Sequence, residues 1–306
     1  MILSCGEALI DMLPRQSAAG EDAFAPYPGG AVFNTAIALG RLGAPAGFFS
    51  GLSRDLFGEM LQTALADSHV STSLAVTSDR PTTLAFVKLT DGHASYAFYD
   101  ENTAGRMLTP ADLPALPDDI SALFFGGISL VGDPCGSAYE ALMTREAATR
   151  VTMIDPNIRP SFITDEPGYR ARIERMIALA DIVKLSDEDL HWLCGQGSVG
   201  TLARSILERG PKVVLITEGS SGARAITAST EVVVPANKVT VADTVGAGDT
   251  FNAGVLAALN QMQALSKSAL TSLDDRILTG ALSMGVRTAA ITVSRAGANP
   301  PWAHEL

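Results

Sequence analysis

Cysteine is scarce in this sequence. Cys5, Cys135 and Cys194 are odd in number, lie far apart and form no CxxC pair. That spacing argues against a disulfide framework and leaves three small core residues in a reducing compartment. The four histidines, His69, His93, His191 and His304, show no HExxH spacing, so a zinc site is not expected. Positive charge is also short: 22 Lys plus Arg face 33 Asp plus Glu, a net charge of -11. A broad nucleic-acid-binding face is excluded on that balance, and an anionic ligand would need backbone N–H groups or a few placed cations. No apolar run approaches the ~20 residues of a membrane span. The start, MILSCGEALIDML, lacks a basic n-region and reads as a first strand, so a cytoplasmic protein without a membrane partner is expected. GxxxxGK[ST] is missing, which excludes a P-loop. Gly195–Gly200 fits GxGxxG literally, but it follows a predicted helix, so the dinucleotide-binding context is absent.

What is present is an alternation of apolar runs and helical patterns over 306 residues, 47% of them hydrophobic. One large domain over 1–306 is expected. Core strands are predicted at Ile2–Cys5, Gly47–Gly51, Leu123–Gly126, Val151–Asp155, Ile182–Leu185, Val213–Thr217 and Ile291–Val293. Helices are predicted at Ala31–Leu42, Phe57–Ala66, Ser137–Thr149, Tyr169–Leu179, Asp187–Leu193, Thr201–Arg209, Thr250–Met262 and Asp274–Ala290. This alternation predicts an α/β fold with a mainly parallel sheet covered on both faces and a ligand at the carboxyl ends of its strands. Two stretches break the rhythm. Leu9–Pro28 is extended and proline-bearing, and Thr82–Tyr99 reads as two alternating strands joined at Asp91–Gly92. Together, from about 11–30 and 82–100, they predict a small β-sheet lid over the strand ends.

The strongest local signal is Asp243-Thr-Val-Gly-Ala-Gly-Asp-Thr-Phe-Asn-Ala-Gly254. Gly246, Ala247 and Gly248 make a turn of little bulk into a helix with Phe251, Val255, Leu256 and Leu259 as its apolar stripe. Such a helix start leaves forward-pointing N–H groups that suit a phosphate or a developing negative charge. The carboxylate of Asp249 sits beside that pocket, where phosphoryl transfer to an alcohol needs a base. The bland reading is an ordinary stabilising first-turn aspartate. Pro28-Gly29-Gly30-Ala-Val-Phe-Asn34 is a second small-residue helix start. Gly29 and Gly30 permit close approach of a ligand, and Asn34 offers a donor and an acceptor for polyol hydroxyls. Its bland reading is a glycine turn with Asn34 as a local cap.

The first segment resembles the second signature of the ribokinase-like (PfkB) carbohydrate kinases, and the Gly-Gly…Asn segment resembles their first signature. The resemblance runs through the whole chain and is strongest to bacterial fructokinases, through GEALIDMLP, while the Asp155-Pro-Asn-Ile-Arg-Pro stretch resembles that of fructokinases and keto-deoxygluconate kinases alike. It implies a three-layer α/β/α sandwich with a β lid, with Asp249 as catalytic base and Gly246, Ala247 and Gly248 as the anion hole. It implies a sugar pocket lined by Asp11, Gly29, Gly30 and Asn34. On the lid, Tyr96, Phe98 and Tyr99 have two equal readings, covering an apolar face of the sugar or packing the lid's own core. Arg159 and Asn157 would face sugar or phosphates, and Thr217, Gly219 and Gly222 the nucleotide. The family's Asn-x-x-Glu element, which organises Mg2+ through water, falls on Ser186 and Asp189. The acid is one methylene shorter there, with Glu188 as a neighbouring alternative. In some members a monovalent cation such as K+ sits beside the hole, here near Asp243, Val245 and Arg295–Pro300. The expected reaction is ATP plus sugar to ADP plus sugar phosphate, with fructose at O6 first and 2-keto-3-deoxygluconate or ribose as alternatives. A nucleoside acceptor and a catalytically silent sugar or nucleotide sensor on the same fold are further alternatives. A homodimer through the lid edge is also implied, because an exposed edge strand invites pairing.

Overall fold

In the computed structural model, residues 1–90 and 93–306 are described, apart from the side chains of residues 88–96. The turn expected at Asp91–Gly92 and the side chain of Tyr96 lie outside the described residues. The chain forms β1 (Ile2–Cys5), β2 (Leu9–Gln16), β3 (Asp22–Gly29), β4 (Ala46–Phe49), β5 (Gly51–Ser53), β6 (Val70–Ser71), β7 (Val76–Ser78) and β8 (Thr83–Thr90). After these come β9 (His93–Tyr99), β10 (Ala122–Gly126), β11 (Val151–Asp155), β12 (Ile182–Ser186), β13 (Val213–Thr217), β14 (Ala223–Ile226) and β15 (Glu231–Val234). The helices are α1 (Ala31–Arg41), α2 (Leu56–Asp67), α3 (Cys135–Glu146), α4 (Glu166–Leu179), α5 (Asp187–Cys194), α6 (Val199–Leu207), α7 (Ala247–Gln261) and α8 (Asp275–Val293).

The nine-stranded main sheet has the order β15-β14-β13-β12-β11-β10-β1-β4-β6. It is parallel from β6 through β13, and β14 and β15 close one edge antiparallel. Its parallel strands are buried on both faces, which explains their near-continuous apolar runs. Side chains alternate between two cores. Ile2, Phe124, Met153 and Ile182 pack with α1, α7 and α8 on one face; Leu3, Phe125, Ile154 and Val183 pack with α3, α4 and α6 on the other. This is the three-layer α/β/α arrangement.

The lid is a four-stranded mixed sheet of order β3-β2-β8-β9. Pairing of Asp11 with Ala85 and Tyr27, and of Ala85 with Phe98, puts these residues on one lid face. Ala85 is fully buried there, and Phe98 meets Phe162 of the body edge-on with ring centroids 4.4 Å apart. The other face carries the aromatic row Phe24, Phe86 and Tyr99. Tyr99 therefore does not cover the sugar pocket, because strand alternation turns it away from Phe98.

Ile291–Val293 is not a strand. It forms the last turn of α8, where Thr292 Oγ1 donates to the carbonyl of Thr288. A short apolar run carries no periodicity that separates a strand from a buried helix end. Gly47–Gly51 divides into β4, in the main sheet, and β5, which pairs with β7 outside it.

Candidate active site

The parallel strands β10 to β13 end in Gly126, Asp155, Ser186 and Thr217, and α1 and α7 bring their N-termini to the same rim. Two glycine turns make this possible. Gly246 caps α7 in the left-handed region at φ 79°, and a Cβ there would lie 2.6 Å from that of Ala298. Gly30 caps α1 at φ 108°. Only glycine takes either conformation without strain.

The two helix starts meet. Asn34 Nδ2 donates to Asp249 Oδ2 at 2.9 Å, across 215 residues of sequence. Thr35 Oγ1 donates to the Asp249 carbonyl at 3.1 Å, so α1 and α7 are tied at the same point. Asn34 is thus a partner of Asp249, not a local cap. Burial raises the Asp249 carboxyl to about 7; the Asn34 hydrogen bond opposes this, Asp155 adds to it, and Lys184 opposes it. An acid poised near neutrality suits proton abstraction at physiological pH.

Glu7 is a residue that the sequence reading passed over. It follows β1 and is buried. Its Oε1 accepts from Ala31 N at 2.9 Å and Val32 N at 3.4 Å, and its Oε2 from Ser129 N at 3.3 Å. It caps α1 where Gly30 offers no side chain. Its carboxylate fills the space a Cβ on Gly127 would need, at 2.1 Å. The available signal was an acid between a strand and an apolar stretch, upstream of a helix start without a capping residue.

Asp11 points under the Gly29 turn: a Cβ on Gly29 would lie 2.2 Å from Asp11 Oδ2. Burial raises its carboxyl to about 6. Asp11, Gly29 and Phe98 thus share the lid face that looks to the body. Asn157 adopts φ 46° and donates its N–H to Asp155 Oδ1 at 3.1 Å, a turn that asparagine tolerates. Arg159 is exposed and makes no ion pair among the described residues, which leaves its guanidinium available to an anion.

Ser186 Oγ caps α5 by accepting from Asp189 N at 3.0 Å. Asp189 is buried while Glu188 is exposed, and it is Asp189 that feels the charges of Asp155, Lys184 and Arg159. Burial, with Asp155 nearby, raises its carboxyl to about 6; Lys184 and Arg159 oppose the rise. Among the described residues, no group of three or more His, Cys, Asp and Glu could hold a metal alone. One buried carboxylate fits an ion that takes its remaining ligands from water and phosphates.

Thr217 ends β13 beside Ser186. The turn after it holds Gly219 at φ 53° and Gly222 at φ 110°, and is fastened by Glu218 and Glu231 on Arg224. Asp243 accepts from Val245 N through Oδ1 at 3.0 Å and from Gly297 N through Oδ2 at 2.9 Å. The two segments expected around a monovalent cation are thereby in contact.

The pfkB family carbohydrate kinase model matches residues 1–305. A fructokinase of Rhizobium leguminosarum bv. trifolii is 58% identical over 278 residues, covering 91% of this chain and 85% of its own. The crystal structure of a Xylella fastidiosa fructokinase with bound ATP superposes with a TM-score of 0.87 at 29% identity, over 97% of this chain and 93% of that one. A Vibrio cholerae O395 fructokinase with fructose, ADP and calcium bound gives 0.83 at 26% identity, over 97% and 94%.

Proposed function

Since this chain belongs to the pfkB family of carbohydrate kinases, we propose that it is a fructokinase, moving the γ-phosphoryl group of ATP to O6 of fructose. The observation that carries the reading is the Asp249 carboxyl at the start of α7, held by Asn34 and raised to about 7. Asp249 takes the O6 proton as the O6–phosphorus bond forms in line. The bond from phosphorus to the bridging oxygen breaks, and ADP leaves with its electron pair. The N–H groups of Gly246, Ala247 and Gly248 hold the charge that develops on the transferring group. Asp11, with Gly29, Gly30 and Asn34, fixes the sugar, and Phe98 closes over it.

Arg159 and Asn157 meet the phosphates, and Thr217, Gly219 and Gly222 cradle the nucleotide. The exposed side chains of Val239, Val241 and Val245, in the segment leading to the anion hole, leave apolar surface for a base. Mg2+, arriving with ATP and held through water by Asp189, would neutralise phosphate charge. K+ would sit by Asp243 and Val245; unchanged activity when a large organic cation replaces it counts against that site. A homodimer would cover Phe24 and Tyr99 of the outer lid, and a monomer in sedimentation removes this part.

The substrate assignment is tested by ADP release with a sugar panel. Fructose should give the highest kcat/KM. Preference for 2-keto-3-deoxygluconate, ribose or a nucleoside would replace fructose, and turnover with none would leave a sensor.

A further inference from the structure

Lys184 stands in the middle of β12, flanked by Val183 and Leu185, and is 4% exposed. A lysine in a buried parallel strand is rare unless paired. Its partner is Asp155 at the end of the neighbouring β11: Nζ donates to Oδ2 at 2.9 Å, with both side chains almost fully buried. Asn252, on α7 one turn after Asp249, donates Nδ2 to that same oxygen at 2.7 Å. Its Oδ1 is buried and has no hydrogen-bond partner among the described residues. The ammonium also reaches the catalytic turn, since a Cβ on Gly248 would lie 3.1 Å from Lys184 Nζ.

The fold gains little from this arrangement. A buried ion pair is often no more stable than apolar residues of the same volume, and an orphaned amide oxygen is a cost. Its place suggests its use: fixed charges directly behind an anion hole act at low dielectric and need no reorganisation during the reaction.

We propose that Lys184 is a positioning residue for phosphoryl transfer, its ammonium held by Asp155, which Asn252 fixes in turn, so that standing positive charge lies against the Gly248–Asp249 backbone. The pair then does two things. It strengthens the anion hole from behind, and it sets the ionisation of the base. Charged groups bear on Asp249 from three directions: Glu7 after β1, Asp155 on β11 and Lys184 on β12. Asp189 feels both members of the pair, together with Arg159. Lys184 favours the ionised base and Asp155 opposes it, so removing each should move the base in opposite directions.

The inference rests on Asp249 being the base. The experiment is the pH dependence of kcat/KM, which reports the free enzyme's ionisations, for fructose phosphorylation in Lys184→Met, Asp155→Asn, Lys184→Arg and Asp249→Asn. The wild-type acid limb should lie near pH 7. Lys184→Met should move it to higher pH and lower the plateau by about tenfold or more. Asp155→Asn should move it to lower pH, and Lys184→Arg should bring it back toward wild type. Folded Met and Asn variants with the wild-type acid limb and plateau overturn the proposal. Where a single replacement does not fold, the double variant Asp155→Asn/Lys184→Met carries the test, because it leaves no unpaired charge; a wild-type kcat/KM in it overturns the proposal. Near-normal turnover by Asp249→Asn would instead overturn the assignment of the base.

Discussion

Three aspartates of the site, Asp249, Asp11 and Asp189, sit where water is scarce, and burial raises them to about 7, 6 and 6. The consequence for stability has a definite sign. An unfolded aspartate releases its proton near ~3.9, whereas folded Asp249 keeps it to about 7. The folded state therefore binds more protons across that window, and stability is lost as pH rises through it. Asp249→Asn should melt at a higher temperature than wild type at pH 8, with the difference shrinking toward pH 4. Calorimetry of both proteins at the two pH values checks this; equal or lower melting at pH 8 would show that the carboxylate is not held at a cost. Asp249 was legible in the sequence because its chemistry lies within one short turn. Lys184 and Asn252 were not singled out, because their meaning depends on which strand end faces which helix.

Helix α1 shows what an element contributes. It has no side-chain cap of its own, and the carboxylate of Glu7 takes that role from another part of the chain. The same helix then presents Asn34 and Thr35 to α7. Glu7→Ala should destabilise the protein by about 1–2 kcal/mol, the ordinary cost of losing a helix cap. It should also raise the fructose KM, because Gly29 and Gly30 lead into that cap. Urea denaturation and steady-state kinetics measure the two effects, and an unchanged KM would separate the cap from the sugar pocket. Most elements follow the predicted periodicity because parallel strands and amphipathic helices differ sharply in pattern. The β14–β15 edge was missed because two short strands of mixed polarity lack a distinctive repeat. Ile291–Val293 was misread because apolar composition without length does not choose between helix and strand.

At the scale of the molecule, the main sheet supplies a rigid rim of strand ends and the four-stranded lid supplies a face opposite it. The lid meets the body where Phe98 packs edge-on against Phe162, next to the turn that carries Arg159. Phe98→Ala should raise the fructose KM severalfold and leave ATP affinity near wild type, as kinetics and nucleotide titration would show. An equal loss of ATP affinity would mean that the contact supports the whole cleft. Alternation in the sequence made the lid visible, but not which aromatic faces inward; that follows from the register that sets Phe98 beside Ala85 and Tyr99 beside Leu84.

On the proposed mechanism one carboxylate, brought to a helix start and held by an asparagine from the other signature, takes the proton from the sugar. The decisive measurement is turnover of fructose by Asp249→Asn, taken beside its ATP binding. A loss of about 10²–10⁴-fold in kcat with ATP affinity near wild type is predicted, the scale of a lost general base. Turnover near wild type in a folded, ATP-binding variant would contradict it.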